Sequence, residues 1–543
     1  MATLLLRLLL LLGWPAAMLL TRATADASFP INVWPKPVSM SWAEPYTAVP
    51  VSPSFHIVAP SGNPYLASAA ERYAKLLVTE LYRPVVGPAV TININAGTAL
   101  AKLTVAVSDL AAPLQHGVDE SYTLEILPAG GAATVTAVTA WGAMRGLETF
   151  SQLAWRAGHG RARDLLLVAS GVRVEDRPLY PHRGLMLDTG RTYFPVSDIL
   201  RTIDVMAANK MNVFHWHITD SQSFPIELPS EPQLAEKGAY GEDMRYTVKD
   251  VKRIVEFAMS RGVRVVPEID SPGHTASWAG AYPEAVSCAG QFWLPGGDWD
   301  DRLAAEPGAG QLNPLAPKTY EVITNVVNDL TSLFPDGFYH AGADEITPGC
   351  WHADPTIQAD LDSGATLSQL LERYVSAVHP LVVSRNRTAV YWEDVLLDAA
   401  VNVSASAIPP ATTILQTWNN GPNNTKLIVQ AGYRAITWQR VYDYDIAYGL
   451  TADEARLVIG GEVAMWTEQV DATVLDGRVW PRASAMAEAL WSGNRDAAGR
   501  KRYAEATDRL TDWRNRMVGR GVRAEPIQPL WCRTRPGMCN AVQ

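Results

Sequence analysis

The chain has 543 residues, with 46 Lys and Arg against 56 Asp and Glu, a formal charge of −10. Hydrophobic residues make up 48% and charged residues 19%, which excludes collagenous, coiled-coil and low-complexity chains. No run of Lys or Arg supplies the clustered positive footprint that a phosphate backbone requires, so a nucleic-acid partner is excluded as well.

Residues 1–25 read as a targeting segment. Arg7 precedes Leu8–Leu12, the apolar stretch runs on to Leu20, and Ala23-Thr24-Ala25 is a small-x-small cleavage site. The competing reading is an uncleaved anchor, but Gly13 and Pro15 interrupt the stretch and it is short for a span. The expectation is a mature protein in the secretory pathway with no membrane span once the signal is removed. Sequons at Asn386, Asn402 and Asn423 agree with that compartment. So does an even set of cysteines: Cys288, Cys350, Cys532 and Cys539 allow three connectivities. The pairing assigned is Cys288–Cys350 and Cys532–Cys539, and no CxxC spacing points to zinc.

Residues 26–178 carry alternating runs such as Leu103–Val107 and Thr134–Val138, the pattern of half-buried strands. Helical stretches are expected over Ala67–Leu81 and from Trp141. This part reads as a smaller α+β domain without a chemical constellation. Over 179–543 strand-like runs alternate with helical-period segments. Strands are expected at Gly184–Asp188, Asn212–Ile218, Val263–Ile269, Phe338–Gly342, Thr388–Trp392, Thr413–Trp418, Tyr433–Thr437 and Val458–Met465. Helices are expected over 196–209, 248–261, 317–333, 366–384, 424–431 and 479–491, with Thr247 and Asp250 as an N-cap pair. Eight βα units predict an α/β chain, a (β/α)₈ TIM barrel followed by a C-terminal helix and tail. In that fold the chemistry collects at the C-terminal ends of the strands.

Those ends are unusually polar. In order they offer Asp188 and Arg191; His215-Trp216-His217 and Asp220; Glu268, Asp270 and His274; His340 and Asp344-Glu345; Trp392-Glu393-Asp394; Trp418; and Trp466 with Glu468. Buried charges must be paired at a cost of several kcal/mol per ion, so stability does not explain so many at one end. Tryptophan faces stack on pyranose C–H faces and carboxylates accept sugar hydroxyls, so the mouth reads as a sugar site. Adjacent Asp344 and Glu345 should raise each other's pKa, which suits a proton donor. His215 and His217 share a strand face and could ligate a metal. The alternative, support of neighbouring carboxylates by hydrogen bonding, is preferred, and no metal or cofactor is expected.

Five stretches carry a specific resemblance: His182–Arg191, Asn212–His217, Pro267–His274, His340–Glu345 and Ile459–Trp466. With them, residues 30–535 resemble the family 20 glycoside hydrolases, the β-N-acetylhexosaminidases, and above all the plant members. Val33–Pro37 and Gly146–Leu153 resemble the family's accessory N-terminal domain. The resemblance implies substrate-assisted, retaining hydrolysis, an exception to the two-carboxylate scheme. Glu345 is implied as acid and then base, and Asp344 as the anion that holds the acetamido N–H. Arg191 is implied on the sugar hydroxyls, Asp220 and His274 in support of Glu345, Trp392, Trp418 and Trp466 as walls, and Glu468 at the rim. The partner implied is an oligosaccharide or a glycoprotein glycan, in a vacuolar, lysosome-like or extracellular setting. Homodimers are an analogy from the family. Two departures stand out. Ala343 replaces the family's usual glycine, and the stretch after strand seven that carries a carbonyl-binding tyrosine is missing around Ala435–Tyr442. Tyr442 and Tyr444 are the substitutes at hand.

Overall fold

Strict alternation builds the first layer. Along Tyr122–Ile126, residues Tyr122, Leu124 and Ile126 are buried and the two between them are exposed, the period of a strand covered on one face. The computed structural model describes residues 31–543 except 86–90, 129, 158–164, 420, 422, 439–441, 443–444, 536–537 and 540–543. The targeting segment and Tyr444 therefore lie outside the described residues.

The N-terminal strands are β1 (Ser39–Val58), β2 (Asn93–Ile94), β3 (Leu100–Asp109), β4 (Tyr122–Ile126), β5 (Ala132–Thr139), β6 (Ala154–Ala157) and β7 (Leu165–Asp176). They form one mixed sheet in the order β2-β1-β3-β5-β4-β7-β6. Helices Pro64–Thr79 and Ala140–Gln152 pack their apolar stripes, including Leu66, Leu77, Leu147 and Phe150, into a core shared with Leu103, Val135 and Val174. The first helix starts before the expected Ala67, because Asn63 accepts a bond from Leu66 N–H and Pro64 suits the first turn.

From His182 the strands are buried along their whole length, as strands covered on both faces must be. They are β8 (His182–Asp188), β9 (Val213–Thr219) and β10 (Arg264–Ile269). A small antiparallel pair follows, β11 (Val286–Ser287) with β12 (Gln311–Leu312), and then β13 (Phe338–His340), β14 (Thr388–Trp392), β15 (Thr413–Gln416), β16 (Arg434–Thr437) and β17 (Val458–Met465). Apart from that small pair, these strands close in sequence order, every neighbour parallel, β17 against β8. The expected TIM barrel beside a smaller N-terminal domain is what forms.

Two strands stop short of their expected ends. β13 ends at His340 because the chain turns into the left-handed region at Gly342 (φ +66°) and Ala343 (φ +70°). β15 ends at Gln416, and the N–H groups of Trp418 and Asn419 turn to Glu393 Oε1, at 3.4 and 2.7 Å. The last expected helix begins at Arg482, just past Pro481. The capping box of Thr247 and Asp250 is present.

The barrel floor is a layer of Val213, Val266, Phe338, Val390, Ile414, Ile436 and Ile459. His116 of the N-terminal domain tilts onto Phe338, with ring centroids 5.1 Å apart. Beside it Glu120 takes Arg145 Nε at 2.8 Å, Arg183 Nη2 at 2.7 Å and Asn212 Nδ2 at 2.7 Å, locking the two domains together. Cys288 and Cys350 are bonded, with Cα atoms 5.3 Å apart, as are Cys532 and Cys539 at 5.5 Å. Asn386 and Asn423 are exposed, whereas Asn402 is half-buried and donates to Asp398 O at 2.7 Å.

Candidate active site

Each strand delivers its polar residues through a local turn. Asp188 Oδ1 at the end of β8 accepts from the N–H groups of Gly190 and Arg191, both at 3.0 Å, and this folds Arg191 back over the barrel. Arg191 Nη1 lies 2.9 Å from Asp220 Oδ2 and 3.4 Å from Asp188 Oδ2. Its Nε pairs with Glu306 and is 3.7 Å from Glu468 Oε1, and the guanidinium stands 4.8 Å over the Trp466 ring. Burial opposes that charge, but Asp220, Asp188 and Glu306 together hold Arg191 well above its ordinary range.

A run of contacts links Arg191's partners to the acidic pair. Asp220 Oδ1 is 3.2 Å from His274 Nδ1, and His274 Nε2 is 3.3 Å from Glu345 Oε2 and 3.8 Å from Asp344 Oδ2. Burial would neutralise Asp220, yet Arg191 and His274 keep its carboxyl well below the usual carboxylate range. Burial likewise works against His274, and Asp220, Glu345 and Asp344 raise it well above a free imidazole.

The turn after β13 sets the pair in place. A Cβ at Gly342 would stand 1.7 Å from Asp270 Oδ1, so only glycine fits there. Asp270 Oδ1 then accepts Ala343 N–H at 3.0 Å. Ala343 (φ +70°), Glu345 (φ +49°) and His274 (φ +53°) all occupy the left-handed region. Each such L-residue costs about 1–2 kcal/mol, and backbone strain of this kind gathers at functional sites. Asp344 is buried, with Oδ1 left without a partner among the described residues, whereas the Glu345 side chain is 24% exposed. Burial first and Asp270 second hold Asp344 well above the carboxylate range, while burial pushes Asp270 up to about 6. Glu345 raises Asp344 as well, as expected of adjacent carboxyls, but Asp270 acts on Asp344 more strongly than Glu345 does.

Tryptophans wall the opening. Trp392 is buried, donates Nε1–H to Glu268 Oε1 at 2.8 Å, and lies 5.8 Å from Trp466 between ring centroids. Trp466 meets the His217 ring edge-on at 5.0 Å. Trp418 is half-buried and its Nε1–H donates to Asp394, which burial and then Asp344 push well above its usual pKa.

The structure thus brings together Asp344, Glu345, Arg191, Asp220, His274, Trp392, Trp418, Trp466 and Glu468. Tyr442 is not among them. Its hydroxyl donates to Glu488 Oε1 at 3.2 Å, and Glu488 is the acceptor of Arg509 and of Lys36 N–H, on the outside of the barrel. Held by Glu488, Tyr442 packs there rather than reaching the mouth. The sequence reading assigned no role to Glu306. It sits in the run Leu303-Ala304-Ala305-Glu306-Pro307-Gly308, where no periodicity marks a contact, and the Cys288–Cys350 bond ties that segment over the mouth. A pocket between Ser221, His274, Glu306, Gln311, Glu345 and Thr347 opens beside the acid pair.

His215, Glu268 and His340 come close enough to suggest a metal. The geometry argues otherwise. The His215 and His340 rings are stacked, with centroids 4.6 Å apart and planes 26° from parallel, so their in-plane lone pairs do not converge. Both Glu268 oxygens are already occupied, Oε1 by Trp392 and His340, Oε2 by His215 and His217.

A closed parallel barrel whose mouth gathers carboxylates, imidazoles and tryptophans around a strained acidic pair defines a barrel glycoside hydrolase. Comparison with known proteins narrows this. The model "Glycosyl hydrolase family 20, catalytic domain" matches residues 180–444 and 435–494, and the model "beta-acetyl hexosaminidase like" matches 33–153. The Beta-hexosaminidase of Emericella nidulans is 33% identical over 579 aligned positions, spanning 96% of this chain and 91% of the relative. The human Beta-hexosaminidase subunit beta is 36% identical over 434, spanning 76% and 73%. Among solved structures, the GH20 β-N-acetylhexosaminidase of Streptomyces coelicolor A3(2) superposes with a TM-score of 0.69 at 25% identity, covering 92% of this chain and 97% of that one. The chain belongs to glycosyl hydrolase family 20.

Proposed function

We propose that the protein is an exo-acting β-N-acetylhexosaminidase that removes terminal GlcNAc or GalNAc by substrate-assisted, retaining hydrolysis. The observation that carries this is the pairing of a buried carboxyl with a free oxygen, Asp344 Oδ1, and an accessible carboxyl, Glu345, on consecutive residues. A mechanism with two reacting carboxylates needs them on opposite sides of the bond. Here only one is open to solvent, which supports a nucleophile brought by the substrate. The acetamido carbonyl oxygen attacks the anomeric carbon as the glycosidic C–O bond breaks, and Glu345 gives its proton to the leaving oxygen. Asp344, ionised for this step, accepts the acetamido N–H at Oδ1, and its negative charge steadies the oxazolinium ion. Water then adds at the anomeric carbon, Glu345 takes the water's proton, and the acetamide reforms. Arg191 and Glu468 meet the ring hydroxyls, with Trp392, Trp418 and Trp466 around the ring. Glu306 adds a fourth acid to the Arg191 corner.

N-glycans and chito-oligosaccharides are the substrate classes proposed, in a compartment of the secretory pathway. The two bonded cysteine pairs support that location, and among the described residues no helix is long and apolar enough to cross a membrane. The test is hydrolysis of an aryl N-acetyl-β-glucosaminide. The wild type should turn it over, and Glu345→Gln should lose roughly 10³-fold or more in kcat with the fold intact. Undiminished turnover by that variant overturns the assignment.

A second reading has its own support. The family model breaks into two segments that overlap at 435–444, where the tyrosine-bearing stretch is missing, and Tyr442 is engaged by Glu488. A glycan-binding protein of the same fold would bind an N-acetylglucosamine thiazoline, measured by calorimetry, without turning over the aryl glycoside.

A further inference from the structure

Above the apolar floor the barrel axis is filled by alternating acids and imidazoles. His182 Nε2 lies 2.6 Å from Glu462 Oε1, and Glu462 Oε2 lies 2.9 Å from His215 Nδ1. His215 Nε2 is 2.9 Å from Glu268 Oε2, which accepts His217 Nδ1 at 2.6 Å. His217 Nε2 is in turn 2.9 Å from Asp220 Oδ2, and Asp220 leads through His274 to Glu345. All of these side chains except that of Glu345 are buried.

Glu268 is where this column meets the wall of the sugar pocket. Its Oε1 takes Trp392 Nε1–H at 2.8 Å and lies 3.0 Å from His340 Nδ1, while its Oε2 faces His215 and His217. One carboxylate therefore sits against four ring nitrogens from β9, β13 and β14, two near each oxygen; Trp392 Nε1 and His217 Nδ1 are its hydrogen-bond donors, while His340 Nδ1 is turned to Gly342 N–H at 3.2 Å. We propose that Glu268 is a positioning residue for the reaction. Through His217 it orients Asp220, and so His274 and Glu345, and through its other oxygen it fixes Trp392. The inference rests on Glu345 being the proton donor.

The chemistry of a Glu268→Gln exchange makes the point specific. An amide has one acceptor and one NH₂ group, whereas both nitrogens hydrogen-bonded to Glu268, Trp392 Nε1 and His217 Nδ1, donate to it, one to each oxygen. Tryptophan can only donate, so the amide oxygen must stay with Trp392 and the NH₂ must face His215 and His217. His217 then accepts at Nδ1 and becomes neutral, keeping its Nε2–H on Asp220. The aromatic wall survives, while Asp220 loses a neighbouring cation. Burial already lowers the affinity of Asp220 for charge, and the cations around it offset that, so its carboxyl becomes harder to ionise.

The experiment measures kcat and KM across pH on the aryl glycoside for the full chain and for Glu268→Gln. The expected result is a kcat lower by roughly 10- to 100-fold, KM within about threefold, and an acidic limb of the profile displaced to higher pH. A merely structural role would lower the folded fraction and leave both the limb and KM in place. If Glu268→Gln does not fold, His217→Asn cuts the same path and leaves the Trp392 bond to Glu268 in place; it should show the same kcat loss and displaced limb. A wild-type kcat and profile in the folded variants overturns the proposal. Glu345→Gln run alongside separates the two claims: if it stays active, the functional reading fails, and if it dies while Glu268→Gln and His217→Asn keep the wild-type profile, only the positioning role fails.

Discussion

The two ends of the barrel use charge in opposite ways. At the floor Glu120 sits among Arg145, Arg183 and Asn212, and Arg264 makes two 2.7 Å bonds to Asp336, so these buried carboxylates find cationic partners at close range. At the mouth Asp344 Oδ1 and Asp270 Oδ2 have none among the described residues, and three non-glycine residues hold left-handed backbone. A buried polar atom without a partner costs roughly 1–3 kcal/mol. The floor is arranged for stability, and the mouth keeps its donors and acceptors for something that is not part of the chain.

That contrast can be broken from either end. The largest effect is expected at the floor, where Glu120→Ala leaves Arg145 and Arg183 uncompensated and should cost about 3–5 kcal/mol of stability. In the fraction that stays folded, kcat should equal the wild type, as chemical denaturation beside active-site titration would read out. A loss of kcat without loss of stability would erase the distinction between the ends. At the mouth, Asp344→Asn should lower kcat by roughly 10²–10³-fold, by analogy with loss of a preorganised charge-stabilising group, while raising stability. The sign follows from the raised pKa: the folded state favours protonated Asp344, so the native carboxyl becomes a liability as pH climbs above the ordinary carboxylate range. The melting temperature gained by the variant should therefore be larger at pH 8 than at pH 5; an equal gain at both would refute the raised pKa of Asp344. The smallest effect belongs to Ala343→Gly, which relieves a φ of +70° and should gain up to about 1 kcal/mol with turnover unchanged.

The chain's own text disclosed these ends unequally. Strand-length runs rich in Val and Ile, such as Val263–Ile269 with only Arg264 and Glu268 charged, and the alternation in Thr134–Val138 are local signals, and the barrel and the N-terminal sheet followed from them. The acidic pair, Arg191 and the tryptophans were legible because each lies at the end of its own strand. What depends on distant segments meeting was not. Glu306 reaches Arg191 across 115 positions, Asp270 raises the pKa of Asp344 from the end of another strand, and Glu120 meets Arg183 from another domain. Nor could a sequence show that the alanine before Asp344 needs the backbone that glycine adopts freely. Tyr442 failed as a substitute for a related reason: its aromatic and hydroxyl character suited the task, but its place was decided by the Glu488–Arg509 pair.

The apolar layer around Phe338, stoppered from below by His116, has a consequence for traffic. It leaves the barrel blind at one end, so a monosaccharide freed inside departs through the doorway by which the next glycan arrives. Release and entry then exclude one another, and free N-acetylhexosamine should act as a purely competitive inhibitor.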